Sequence, residues 1–215
     1  MNKPLINKYL KAFKKEYSLN DTAHREDHFH KVLETGRMIN KVLNLGYDDK
    51  LLVHFAYTHD VHADERDEHH QLAYILMMYK NHVIHSDLTF EEKEMVAKAC
   101  LKHRASYKNE YGSRNEFEIL CASADRQMPQ GAVEMIDRAL NYRLSKGALL
   151  TMQTCTESRD HILDKYIDRA KTTYTDMYLK VFGNVITGLK RELEEMDIEE
   201  YYKNKLATAY AEATQ

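Results

Sequence analysis

The stretch YTHDVHADERDEHH, residues 57–70, holds four histidines, five acids and one arginine, and follows directly on the apolar run LLVHFA. Imidazole beside carboxylate is the chemistry of proton transfer or of metal ligation. In a chain with twelve histidines, a His59-Asp60 doublet carries little information by itself. Its phase on a helix gives it weight.

In the segment that carries the doublet, the apolar positions are Leu51, Leu52, Phe55 and Ala56. Four residues beyond the last two stand His59 and Asp60, which therefore continue the buried stripe. His54 lies off that stripe and is expected to be solvated. On the preceding helix His28, Val32, Gly36 and Ile39 share one face, while His30, Glu34, Arg37 and Lys41 form the polar one. His69 aligns with Leu72, Ala73 and Leu76, and His70 falls between faces. Val96, Ala99, Cys100 and His103 make a further stripe, as do Phe117, Leu120, Cys121, Ala124 and Asp125. A single inward histidine is more often a hydrogen-bonded core residue than a ligand, and an inward aspartate is often a cap or an ion-pair partner. Five helices that each turn such a group inward point instead to a shared site. Its mixture of imidazole and carboxylate suits Mn, Fe, Co, Ni or Zn better than the all-oxygen sphere of calcium.

The elements that must position these groups read as helices throughout. Two prolines and seven glycines in 215 residues leave little punctuation for strands and tight turns, so the expected class is all-α. Helices are expected from Asp21-Thr22 to about Leu45, from Asp48-Asp49 through the doublet, from about Glu65 to Asn81, from Thr89 to His103, and over EFEILCASADRQM. Thr89 and Glu92 have the spacing of a capping box, and RASYKNEYGSRN reads as a loop. Three or four more helices are expected after Gly131, with apolar spacing that suits core packing or a homo-oligomer face. The chain is expected to form one domain over 1–215, with the site in a core of about 20–140. The lysine-rich N-terminus reads as an amphipathic helix rather than a signal peptide. No apolar run approaches a membrane span, and three unpaired-looking cysteines suit a cytoplasmic protein. A net charge of -3 gives no broad field for nucleic acid or membrane.

Four blocks, HREDHFHKV (24–32), AYTHDVHAD (56–64), KHR (102–104) and ASADRQMPQG (122–131), resemble in order the signatures of the HD superfamily of metal-dependent phosphohydrolases. That family is all-helical. The resemblance implies a divalent metal (Mn, Co, Ni, Fe, Mg or Zn) on His28, His59, Asp60 and Asp125. It also places His69 and His103 where some members hold a second ion. Two departures stand out: Gln127-Met128 replaces the usual Leu-Asp after Ala-Asp-Arg, and Arg25-Glu26 stands where an aspartate often follows the first histidine.

Such a site would activate water against a phosphoryl group. Asp64, one helical turn past Asp60, is the first candidate for proton transfer and Glu65 the second. Arg25, Arg104 and Arg126 sit beside proposed ligands and could hold phosphate, with His24 in support. Adjacent His and Asp diverge by about 100° within a helix, so the doublet must stand at a helix end. The expected function is hydrolysis of a soluble phosphorylated substrate, a nucleotide or deoxynucleotide by resemblance. The alternative is a catalytically silent metal- and nucleotide-binding module. A helical scaffold with structural zinc is weaker, because such sites prefer clustered cysteines.

Overall fold

The structure is a computed structural model that describes residues 2–20, 26–65, 67–80 and 82–213. The described residues contain helices and no strand, as the composition implies. In order they are α1 (Lys3–Ala12), α2 (Lys14–Leu19), α3 (Glu26–Val42), α4 (Asp49–Thr58), α5 (His69–Tyr79), α6 (Phe90–Lys102), α7 (Glu116–Ala124), α8 (Ala132–Ser145), α9 (Met152–Ile162), α10 (Ala170–Thr173), α11 (Asp176–Glu195) and α12 (Ile198–Ala213). A 3-10 turn at Val83–His85 joins α5 to α6, and a π turn at Leu163–Asp168 follows α9. No helix among the described residues is long and apolar enough to cross a membrane. Cys100, Cys121 and Cys155 are buried and free.

The chain divides into two compact units, Met1–Met128 with Tyr174–Val181, and Pro129–Thr173 with Phe182–Gln215. In the first, α3, α4, α6 and α7 bury one core that includes Phe29, Leu33, Phe55, Val96, Phe117 and Leu120. Gly36 lets α3 approach α7 closely: a Cβ there would stand 3.4 Å from that of Ala124 and 3.6 Å from Leu52 Cδ2. That crossing sets the end of α7, and with it Asp125, beside α3. The second unit is centred on Ile136, Leu140, Cys155, Leu189 and Leu193. There Tyr201 donates to Asp137, which also takes Lys205 Nζ at 2.7 Å.

Local signals explain the helix ends. Asp48 caps α4 by accepting from the Lys50 N–H, and Thr89 and Glu92 form the expected capping box of α6. Asn115 and Glu118 form a second box, on α7. At the other end of α4 the freed carbonyls need donors. Tyr17 Oη donates to Tyr57 O at 2.6 Å and Asn20 Nδ2 to Asp60 O at 2.9 Å, so α2 and the residue after it fasten this terminus.

Two expectations are corrected. His54 is fully buried rather than solvated, because α4 is covered on every side from Leu51 to Thr58. Helix α5 begins at His69, not near Glu65. Between the doublet and His69 the chain makes successive three-residue turns, Val61 to Thr58, Ala63 to Asp60 and Glu65 to His62.

Candidate metal centre

Helix α4 ends at Thr58, and His59 is its C-cap, so the doublet does stand at a helix end. From there both side chains reach one place. His59 Nε2 and Asp60 Oδ2 are 3.3 Å apart, and His28 Nε2 from α3 lies 3.2 Å from His59 Nε2 and 3.3 Å from Asp60 Oδ2. Asp125, at the C-cap of α7, brings Oδ1 to 3.6 Å from His28 Nε2 and 3.5 Å from His59 Nε2. The four ligand atoms all lie within 4.8 Å of one another. Asp60 has a second set of neighbours on its other oxygen. Its Oδ1 is 3.5 Å from His69 Nε2 and 3.7 Å from His103 Nε2, which are themselves 3.4 Å apart. The carboxylate of Asp60 thus faces two donor sets at once.

The fit to a cation can be tested on distances. Two donors about 2.1 Å from one ion stand roughly 3.0–3.4 Å apart in octahedral or tetrahedral spheres. Among His28, His59, Asp60 and Asp125, every separation that includes a histidine runs from 3.2 to 3.6 Å, and the two carboxylate oxygens lie within 4.8 Å of each other. The donor set of two imidazoles and two carboxylates therefore fits a divalent ion.

Hydrogen bonds behind the rings agree with that use. His59 Nδ1 donates to Ala56 O at 3.0 Å and His103 Nδ1 to Cys100 O at 2.6 Å, which turns an Nε2 of each ring toward the cluster. Burial lowers His28, outweighing the pull of Asp60, and burial lowers His103 to about 3, so both rings are neutral at ordinary pH. Burial also opposes charge on His59, but Asp60 and Asp125 outweigh it and raise this ring to about 10. Burial alone would raise both carboxyl groups. Asp60 is held well below the usual range by His59 and His28, and Asp125 by Arg126 and His59. The buried Asp60 and the part-buried Asp125 thus stay charged, with His59 and Arg126 as cationic partners.

The remaining expected residues are less tightly placed. Arg126 pairs with Asp125 Oδ2, and Arg104 reaches Asp67 O only at 3.4 Å. Asp64 and Glu65 are exposed in the turns after the doublet and belong to neither donor set. His24 and Arg25 lie outside the described residues.

Several residues to which the sequence assigns no supporting role stand behind the centre. Tyr17 and Asn20 fasten the end of α4. Gln127 Nε2 contacts His28 Nδ1, and Tyr178 Oη donates to Gln127 O at 2.6 Å. Behind α4, Tyr9 Oη lies 2.6 Å from His54 Nδ1, and His54 Nε2 lies 3.1 Å from Asp87 Oδ1. The departure at Gln127 was the one local signal; the others are contacts between distant segments. No family model, curated protein or solved structure matches the chain.

Proposed function

We propose that this protein is a metal-dependent phosphohydrolase of the HD type, acting on a soluble phosphoester or phosphoanhydride, with a nucleotide or deoxynucleotide as substrate. The observation that carries the reading is Asp60, whose two oxygens face His28, His59 and Asp125 on one side and His69 and His103 on the other. The reaction class and the nucleotide rest on the resemblance of the four sequence blocks; the metal is supported by two donor groups that could hold one.

His28, His59, Asp60 and Asp125 would hold one ion, and Asp60, His69 and His103 a second. When bound, a divalent cation supplies Lewis acidity at a phosphoryl oxygen and acidifies water. Arg126 spends one N–H on Asp125, and its other N–H groups, which make no hydrogen bond among the described residues, would orient a phosphate beside that residue. Arg104 has a similar role on the His103 side, since its contact with Asp67 O is long. Asp64 and Glu65, exposed next to the doublet, would carry the proton between solvent and leaving group.

The test is product analysis of the purified full chain. Nucleoside monophosphates and triphosphates are incubated with Mn, Co, Ni or Mg, and in parallel with chelator. Turnover that needs the metal and stops with chelator is expected. A folded protein that binds metal and turns over none of the panel would refute hydrolysis in favour of a nucleotide-binding module.

A further inference from the structure

Within the centre, His28, His59 and His103 are not held alike at Nδ1. His59 and His103 rest Nδ1 on the carbonyls of Ala56 and Cys100, each three residues upstream on its own helix. His28 Nδ1 meets a side chain from 99 residues away, the amide of Gln127, at 2.5 Å. Gln127 is buried and takes a φ of 60°, the left-handed region that a residue with a Cβ enters at a cost. Its surroundings hold it there. The Gln127 N–H donates to Ala124 O at 2.9 Å, its carbonyl accepts from Tyr178 Oη at 2.6 Å, and the next N–H, on Met128, donates to Thr35 Oγ1 at 2.8 Å. The amide is therefore delivered to His28 from a backbone fixed at three points.

An amide presents its oxygen and its NH2 in nearly the same shape, so the partner decides which end faces it. For His28 Nε2 to offer a lone pair to a cation, the ring proton must sit on Nδ1, and the group facing Nδ1 must accept. We infer that Gln127 is a positioning residue for the metal centre: its amide oxygen accepts the His28 Nδ1 proton and so fixes the ring and its tautomer for ligation through Nε2. The inference rests on the metal reading given above and concerns binding rather than turnover. It also gives a purpose to the departure from Leu-Asp at this position, because a leucine has nothing to offer Nδ1.

The test compares Gln127→Leu and Gln127→Glu by Co2+ titration of the full chain, followed by visible absorption and calorimetry, with circular dichroism to follow the fold. Glutamate can only accept when ionised, so Gln127→Glu is expected to bind Co2+ within about threefold of the wild type or more tightly. Gln127→Leu loses the acceptor and is expected to bind about 10–100-fold more weakly, the usual cost of removing such a partner. A purely space-filling role predicts the reverse order, since leucine suits a core better than a buried charge. Glutamate weaker than leucine, or leucine unchanged, would overturn the inference. Nitrogen NMR of ring-labelled histidine in the zinc-loaded wild type reads the tautomer without any variant. A proton on His28 Nδ1 is expected, and a proton on Nε2 would overturn the inference even if neither variant folds. If the wild type binds neither Co2+ nor Zn2+, the metal reading itself fails and this inference fails with it. Binding by the wild type with the variants in the wrong order sinks the inference alone.

Discussion

Replacing His85 with leucine should make the fold less sensitive to acid. His85 ends the 3-10 turn before α6, is 1% exposed, and has no hydrogen-bond partner on either ring nitrogen among the described residues. Its ring is surrounded by others: Tyr9 from α1 at 6.2 Å, His54 from α4 at 5.8 Å and His82 at 6.0 Å between centroids. Burial pushes this imidazole down to about 3, helped by the positive charge that His54, His82 and Lys93 can bring. In the unfolded chain the same ring titrates near 6.5.

The sign follows from proton counting. Between pH 6.5 and 3 the unfolded state binds a proton that the folded state refuses, so stability is lost as pH falls through that window. Each unit below 6.5 costs about 1.36 kcal/mol, so at pH 5 His85 alone removes about 2 kcal/mol relative to pH 8. The value at pH 5 depends only on the folded ring titrating well below that pH. Urea unfolding of metal-free wild type and His85→Leu at pH 8 and pH 5, followed by circular dichroism, measures the difference. At pH 8 the variant should be at least as stable as the wild type, because each unpaired buried polar group costs about 1–3 kcal/mol. At pH 5 its advantage should have grown by about 2 kcal/mol. Equal acid sensitivity in the two proteins would refute the reasoning, as would a variant clearly less stable at pH 8.

Two further outcomes are expected. Asp60→Ala removes the one carboxylate shared by both donor sets, so metal affinity should fall by more than about 100-fold, beyond the loss caused by an outer partner, while far-UV circular dichroism stays near the wild type; an Asp60→Ala protein that keeps wild-type metal content would sink the site. Glu118→Ala removes the counter-charge of Lys102, whose Nζ lies 3.0 Å from Glu118 Oε2 with both residues buried and would keep only the Ser113 carbonyl, and it also breaks the α7 capping box. The cost in urea unfolding should be about 4 kcal/mol, most of it recovered in a Lys102→Met/Glu118→Leu double variant, and a single-variant cost below about 1 kcal/mol would contradict this.

Helical phase alone marks out the candidate ligands. Apolar neighbours three and four residues away mark His28, His59, Asp60, His69, His103 and Asp125 as inward, and the structure gathers them into two groups that share Asp60. The same method failed at His54 for a physical reason. Phase from a single stripe assumes that a helix has a solvent side, and α4 has none. Apart from His54 itself, the run LLVHFAY is apolar or aromatic, and a helix apolar all round is a buried one. What covers its far side, Tyr9 and Asp87, lies 45 and 33 residues away, and no local pattern announces contacts of that range. Gln127 is intermediate. Its departure from the family pattern was visible, but its contact with His28 spans 99 residues and needed the fold.

Why the centre forms at this doublet follows from where α4 stops. Neighbouring side chains on a helix point about 100° apart, so His59 and Asp60 could not face one ion from its middle. At the helix end the chain is free to bend, but the bend leaves backbone carbonyls without helical partners in a buried region, which is costly. Tyr17 removes that cost at Tyr57, and at Asp60 Asn20 adds a second donor alongside the Ala63 N–H. The amphipathic N-terminal segment, which carries no ligand of its own, therefore allows α4 to end inside the core. Once it ends there, Asp60 can turn one oxygen to His28, His59 and Asp125 and the other to His69 and His103. The placing of the doublet thus draws on side chains 40 residues upstream that bond the backbone carbonyls of Tyr57 and Asp60.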